Sequence, residues 1–255
     1  MTDYLLLRLY GPLASWGEIA VGESRHSAVH PSRSALLGLL GAALGIERAD
    51  EAGQQALAAG YRFGIKLEAT GSPLRDYHTV QTGVVPRKFR FRSRRQELAA
   101  EKVDTYLSAR EYRCDSLALI AVEAMPGAPR ELAALAEALR TPHFPLYLGR
   151  KSCPLALPLA PMLVSAANLR EALDGAELPS LLALVDRYQP EQGWPTREDR
   201  RAFRLGQHRY YWEDGMEAGM KASFDTWRHD QPLSRSRWQF APRREWVAIS
   251  EGGQG

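Results

Sequence analysis

The run Arg87-Lys88-Phe89-Arg90-Phe91-Arg92-Ser93-Arg94-Arg95 has six cations, no acid and two Phe within nine residues. Guanidinium and ammonium groups neutralise phosphates, and aromatic faces stack on bases. A solvated surface loop with its Phe side chains tucked inward is the alternative. The charge is local, because the whole chain carries a formal net charge of only +3. Two further groups suit anions. Arg25, His26, Arg33 and Ser34 cluster where a helix is expected to begin, and free backbone N–H groups there favour a phosphate. Tyr147-Leu148-Gly149-Arg150-Lys151-Ser152-Cys153-Pro154 combines a glycine, two cations and a hydroxyl in one turn, which can wrap an anion or simply lie exposed.

Tyr77 and His78, with Lys88 nearby, suggest proton-transfer chemistry. A Tyr–His–Lys set can assist attack of a ribose 2′-hydroxyl on its own phosphodiester without a metal. His78 can equally make a structural or RNA hydrogen bond. Metal ligation finds little support. His26 and His30 are four apart, but Pro31 argues against a helix between them, and no HExxH or paired-Asp cluster occurs. Cys114 and Cys153 lack CxxC spacing, which favours reduced thiols in a cytoplasmic setting. The longest apolar run, near 35–46, falls short of the roughly 20 residues that cross a bilayer. Met1-Thr2-Asp3-Tyr4 does not read as a secretion signal.

The elements that must hold these groups follow from periodicity. Residues 3–10 alternate, with Leu5, Leu7 and Leu9 on one side, and read as a half-buried strand. Ser32 or Ser34 caps a helix to about 46, whose Gly38, Gly41 and Gly45 suggest close packing on a sheet. Strands are expected at 61–69 and 116–124, a helix at 130–140, and a short strand at 154–159. Strand, helix, strand, strand, helix, strand is the split βαβ, ferredoxin-like order of an α+β fold. The basic run falls in the long connection between the second and third strands. Its flanks, 75–82 and 105–113, have strand composition, so a projecting β-hairpin with arginines at its tip is expected. Residues 1–160 read as the main domain. Residues 161–255 read as a smaller, partly irregular domain with a last strand at 245–249.

Several segments together resemble the CasD family, subunits of subtype I-E CRISPR surveillance complexes (Cascade). They are Leu7-Arg8-Leu9-Tyr10-Gly11-Pro12 with Ser15-Trp16-Gly17, residues 32–42, Leu74-Arg75-Asp76-Tyr77-His78-Thr79-Val80, Arg110-Glu111-Tyr112-Arg113-Cys114-Asp115, residues 147–155, and residues 237–246. The resemblance implies an RNA-binding body with a thumb hairpin at about 78–112, holding the 5′ handle of the crRNA. Its contacts would be Trp16, Arg25, Arg33, Ser34, His78, Arg87, Lys88, Phe89, Arg90, Phe91, Arg92, Arg94, Arg95, Arg110, Arg150, Lys151 and Ser152. The implied partners are crRNA, the backbone and large subunits of Cascade, and target DNA nearby. No metal, other cofactor or membrane is implied. Such subunits are regarded as non-catalytic. In the related subtype I-C the equivalent subunit cleaves precursor RNA with Tyr, Lys and His, for which Tyr77, Lys88 and His78 are the counterparts to weigh. The Trp and Arg residues near the C-terminus suit subunit contacts.

Overall fold

The computed structural model describes residues 1–20, 22–85, 89–177 and 208–250. In chain order its elements are β1 (Thr2–Ala14), β2 (Trp16–Gly17), β3 (Ser24–Arg25), β4 (Ser27–Ala28), α1 (Arg33–Leu44), α2 (Glu51–Gly60), β5 (Tyr61–Ala69), β6 (Ser72–Gly83), α3 (Arg94–Leu98), β7 (Val103–Ala124), α4 (Leu132–Arg140), β8 (Met162–Ala166), α5 (Leu169–Asp174), β9 (Arg209–Glu213), β10 (Phe224–Ser234) and β11 (Gln239–Ile249). The fold is mixed α/β around one large sheet of order β10-β11-β9-β5-β7-β1-β8, with β6 and β3 also paired to β7. Every pair in that sheet is antiparallel except β3–β7.

β1 is buried on both faces rather than one. Leu5, Leu7 and Leu9 enter a core shared with α1, α2 and α4, while Tyr4 and Leu6 enter a second core under α5 and β9. Alternation alone cannot reveal the second cover, because it is built from residues far along the chain. α1 begins at the expected cap, where Ser32 Oγ accepts from the Ala35 N–H at 3.2 Å. It ends at Gly45 in the left-handed region, φ 74°. Its Gly41 faces Leu57 of α2 and not the sheet. α2 is unforeseen from periodicity, since its glycines at both ends weaken the helical pattern; Asp50 caps it by accepting from the Gly53 N–H at 2.9 Å.

The strand expected at 154–159 does not form. Pro154 and Pro158 lack an N–H, and the segment instead makes scattered bonds to β1, from the Ala156 N–H to the Tyr10 carbonyl at 3.0 Å and from the Arg8 N–H to the Leu159 carbonyl at 2.8 Å. The fourth strand is β8, paired to β1 from Thr2↔Ala166 to Leu6↔Met162. The division expected near residue 160 is not visible in the hydrogen bonding. β8 extends one side of the sheet, and β9 joins β5 through Gly64↔Trp212 to Leu67↔Arg209 on the other.

The hairpin is formed as expected. β6 pairs with β7 from Ser72↔Cys114 to Gly83↔Val103. The inner half of β7 lies between β1 and β5, and the outer half projects with β6. The change falls at Asp115, whose φ of 56° is left-handed, a conformation Asp tolerates better than most residues. Its carboxylate accepts from the Tyr10 hydroxyl at 3.2 Å.

A buried ionic cluster ties the start of α1 to the last strands. Arg33 pairs with Glu213 of β9, and its guanidinium also donates to the Ala58 and Tyr61 carbonyls at 2.5 and 3.1 Å. The Arg33 N–H donates to Asp230 Oδ2 at 2.7 Å. Asp230 and Glu245 in turn hold Arg243 at 2.6 and 2.7 Å, and His30 lies 3.2 Å from Glu245. Burial raises the Glu245 carboxyl, but the His30 hydrogen bond and the charges of His30, Arg243 and Arg228 outweigh it and hold it down to about 2. Because this pKa is depressed on folding, its stabilisation is complete above the ordinary 4.5 and is lost as pH falls towards 2. Glu213, raised by burial, acts in the opposite sense. Asp174 and Glu111, both lowered, add to the loss in acid. An acid limb between about pH 4.5 and 2 is therefore expected in the urea midpoint, and Glu245→Gln should shrink it. A limb of equal depth in that variant would refute the assignment.

Candidate nucleic-acid interface

Register decides which side chains the hairpin presents together. Side chains alternate along a strand. Asp76 pairs with Arg110, His78 with Ser108 and Leu74 with Tyr112, so these share one face of the hairpin base. Arg25 of β3 lies beside Arg110 in a parallel pairing and joins that face. Arg75, Tyr77, Glu111 and Arg113 occupy the other, where Glu111 holds His26 at 3.2 Å and Arg75 at 3.3 Å.

The turn at 147–154 is pinned beside the same base. The Leu148 N–H donates to the Cys153 carbonyl at 2.7 Å, and the Ser15 N–H donates to the Leu148 carbonyl at 3.1 Å. Gly149 has φ 82°, and a Cβ there would collide with the Ser15 carbonyl oxygen. Arg150 consequently reaches the ring of Tyr112, its guanidinium carbon 5.2 Å from the centroid. Lys151 and Ser152 are exposed next to it. Gly149→Ala combines a strained φ with a backbone clash, so it should displace this turn. The expected result is a loss of about 1–3 kcal/mol in stability, read by urea denaturation. An unchanged midpoint would show that the turn tolerates a side chain.

At the tip, Phe89 and Phe91 meet edge to face with centroids 5.2 Å apart. Ser93 caps the short α3 by accepting from the Gln96 N–H at 3.2 Å. Arg94 is engaged internally, with Glu97 at 2.8 Å and with the Gln81 carbonyl. Arg90, Arg92 and Arg95 are exposed and have no carboxylate within ion-pair distance among the described residues. Arg87 and Lys88 lie outside the described residues.

Two expectations need correction, those for Trp16 and Arg33, and the alternative Tyr77, His78 and Lys88 set can be placed in part. Trp16 is only 4 % exposed and belongs to the main core, paired through β2 with Ala28, so its indole is not offered to a base. Arg33 is 5 % exposed and held by Glu213 and two carbonyls, and the helix N-terminus is already answered by Ser32 and Asp230. The guanidinium and the Arg33, Ala35 and Leu36 N–H groups are thereby taken. Tyr77 and His78 are neighbours in β6 and leave opposite faces, His78 being engaged with Asp76. The third member of that set, Lys88, lies outside the described residues. Ser34 is half-buried, its hydroxyl 3.1 Å from that of Ser32. Tyr112, two residues after Arg110 on one strand face, is the addition as a support: it is 7 % exposed and part of the main core, and its ring carries Arg150 and is not offered to a base. Among the described residues no group of three His, Cys, Asp or Glu side chains is disposed to hold a metal ion, and no helix is long and apolar enough to cross a membrane.

Fold and site thus define a mixed α/β protein with a long cationic hairpin standing on a broad antiparallel sheet. Residues 4–245 match the family model described as CRISPR-associated protein (Cas5), and the chain belongs to that family. It is similar to CRISPR system Cascade subunit CasD of Escherichia coli (strain K12), 35% identical over 181 residues that cover 68% of this chain and 76% of the relative. A chain of a solved CRISPR RNA-guided surveillance complex superposes with a TM-score of 0.63 at 26% identity, covering 97% of this chain and 90% of that one. A crystal structure of a Cas protein gives a TM-score of 0.54 at 25% identity, covering 96% and 94%.

Proposed function

We propose that this chain is a CasD-type subunit of a Cascade surveillance complex that grips the 5′ handle of crRNA in the cytoplasm, by binding and not by cleavage. The observation that carries this reading is the gathering of Arg25, Arg110 and Arg150 around one face of the hairpin base, below a tip that offers Arg90, Arg92, Arg95 and two Phe. A strand of RNA laid along that face meets cations at the base and both cations and aromatic edges at the tip. The strand order β8-β1-β7-β5, with helices α1 and α4 in the two crossovers, supports a ferredoxin-like body that runs past the expected boundary at 160 to include β8, with β9, β11 and β10 continuing its sheet beyond β5. Family membership and the named relative support Cascade subunits as partners, with target DNA close by. Binding is favoured over cleavage because Tyr77 and His78 do not converge.

The test is co-purification. Tagged protein drawn from its host should carry a short RNA of uniform 5′ end, and the purified chain should leave repeat RNA intact in EDTA. Absence of RNA would defeat the binding reading. A product ending in 2′,3′-cyclic phosphate, lost in His78→Ala, would replace it with a nuclease.

A further inference from the structure

A second cationic and aromatic site lies away from the hairpin, in a groove of about 560 Å³ between the start of α1 and the β10–β11 pair. Its walls include Ser34, Trp227, Arg235, Trp238 and Phe240. Trp227 and Trp238 are 63 % and 59 % exposed, an uncommon amount of indole for one surface. Trp238 and Phe240 lie with centroids 6.2 Å apart, and Arg48 stacks on Trp238 at 3.9 Å.

The charges of the groove are mostly answered internally. Arg228 faces Glu18 at 3.6 Å, and Asp230 is held by Arg243 and by the Arg33 N–H. Arg235 is the exception. Its backbone N–H donates to Glu51, but its guanidinium has no carboxylate within ion-pair distance among the described residues. It runs along α1 at Gly38, where a Cβ would stand 3.3 Å from the guanidinium nitrogen. Burial and the neighbouring Arg48 charge both press its pKa down. Glu51 opposes this from beyond ion-pair distance, so this half-buried guanidinium beside a second one has no carboxylate in contact among the described residues and can take an anion.

Two chain segments lead from the groove towards the interface already described. The loop lining it at Gly17, Glu18 and Ile19 runs on to Arg25, which pairs beside Arg110. On the other side Arg235 lies within electrostatic reach of Tyr147, the first residue of the turn that carries Arg150.

We infer that this groove holds one nucleotide unit of a single-stranded RNA, its phosphate on Arg235 and its base against Trp238, as an extension of the strand bound at the hairpin base. The inference rests on the RNA-binding reading above. An aromatic face and a guanidinium can engage a nucleotide of any sequence, and the volume suits one such unit.

The experiment titrates the full chain with oligoadenylate RNAs of increasing length, reading affinity and tryptophan quenching. Wild type should gain about tenfold in affinity, with added quenching, once the strand is long enough to enter the groove. Arg235→Gln and Trp238→Leu should lose that gain while binding short strands like wild type. Trp238→Phe, which keeps a ring face, should retain the gain in affinity. Arg110→Ala with Arg150→Ala should weaken every length. If the groove variants match wild type at all lengths while the Arg110/Arg150 pair weakens binding, the groove inference falls and the interface stands. If no RNA binds wild type, both fall. If long RNA leaves Trp238 open to N-bromosuccinimide while a neighbouring Cascade subunit shields it, the groove binds protein and the inference is overturned.

Discussion

Arg33→Ala is expected to cost about 3–5 kcal/mol of folding stability, a large part of what a typical domain possesses. The guanidinium sits among Glu213, two carbonyls and its own helix start, almost wholly out of water. Truncation leaves Glu213 buried with Asp230 and Glu245 near it, and Arg243, His30 and Arg228 to balance them. It also leaves the Ala58 and Tyr61 carbonyls without that donor. Removing one member of a buried ion pair costs more than the pair contributes, because the survivor stays desolvated. The double variant Arg33→Met with Glu213→Leu should therefore recover much of the loss, since it deletes both charges together. Urea denaturation of the three proteins measures this. A midpoint for Arg33→Ala within error of wild type would mean that the cluster is hydrated and mechanically unimportant. The same variant separates two roles for Arg33. A phosphate ligand would lose RNA affinity with little change in stability, whereas a staple between α1 and β9 loses stability first.

Arg33 also illustrates what periodicity conveys. The cap at Ser32, the strand at Tyr61–Ala69 and the hairpin around the arginines are all set by neighbours a few residues apart, and all are legible. The cations are legible as cations, but their fates are not. Arg33 finds Glu213 and Asp230 across 180 and 197 positions of chain, and nothing local distinguishes it from Arg150, which stays half-exposed on Tyr112. Trp16 is similar. Beside Gly17 it reads as a loop indole free to stack, yet pairing of β2 with β4 turns it inward. The strand expected at 154–159 fails for a reason that is present in the sequence, the two prolines. Tyr77 and His78 carry their own answer too. Once 75–82 is taken as a strand, adjacent residues point to opposite faces.

The tip yields the other large effect. Among the described residues Arg90, Arg92 and Arg95 have no carboxylate within ion-pair distance, whereas Arg94 is held by Glu97 and the Gln81 carbonyl. Substituting the first three with Ala should reduce RNA affinity and flatten its dependence on salt. Each phosphate of a single strand that is deprived of its protein cation takes about 0.7 off the log–log slope, so deleting all three arginines should take off about 2. Arg94→Ala alone should shift the slope little, because its charge is already partnered on the protein. Fluorescence anisotropy with crRNA across a potassium chloride series measures both. Phe89→Leu offers an independent check, since it removes a ring face without touching charge. It should lower affinity equally at every salt concentration and leave the slope unchanged. Parallel slopes for wild type and the triple variant would mean that the arginines face solvent in the bound state, and the hairpin would then lose its role as the closing finger. A steeper slope in the variant would be equally fatal, because removing cations cannot increase the number of counter-ions released.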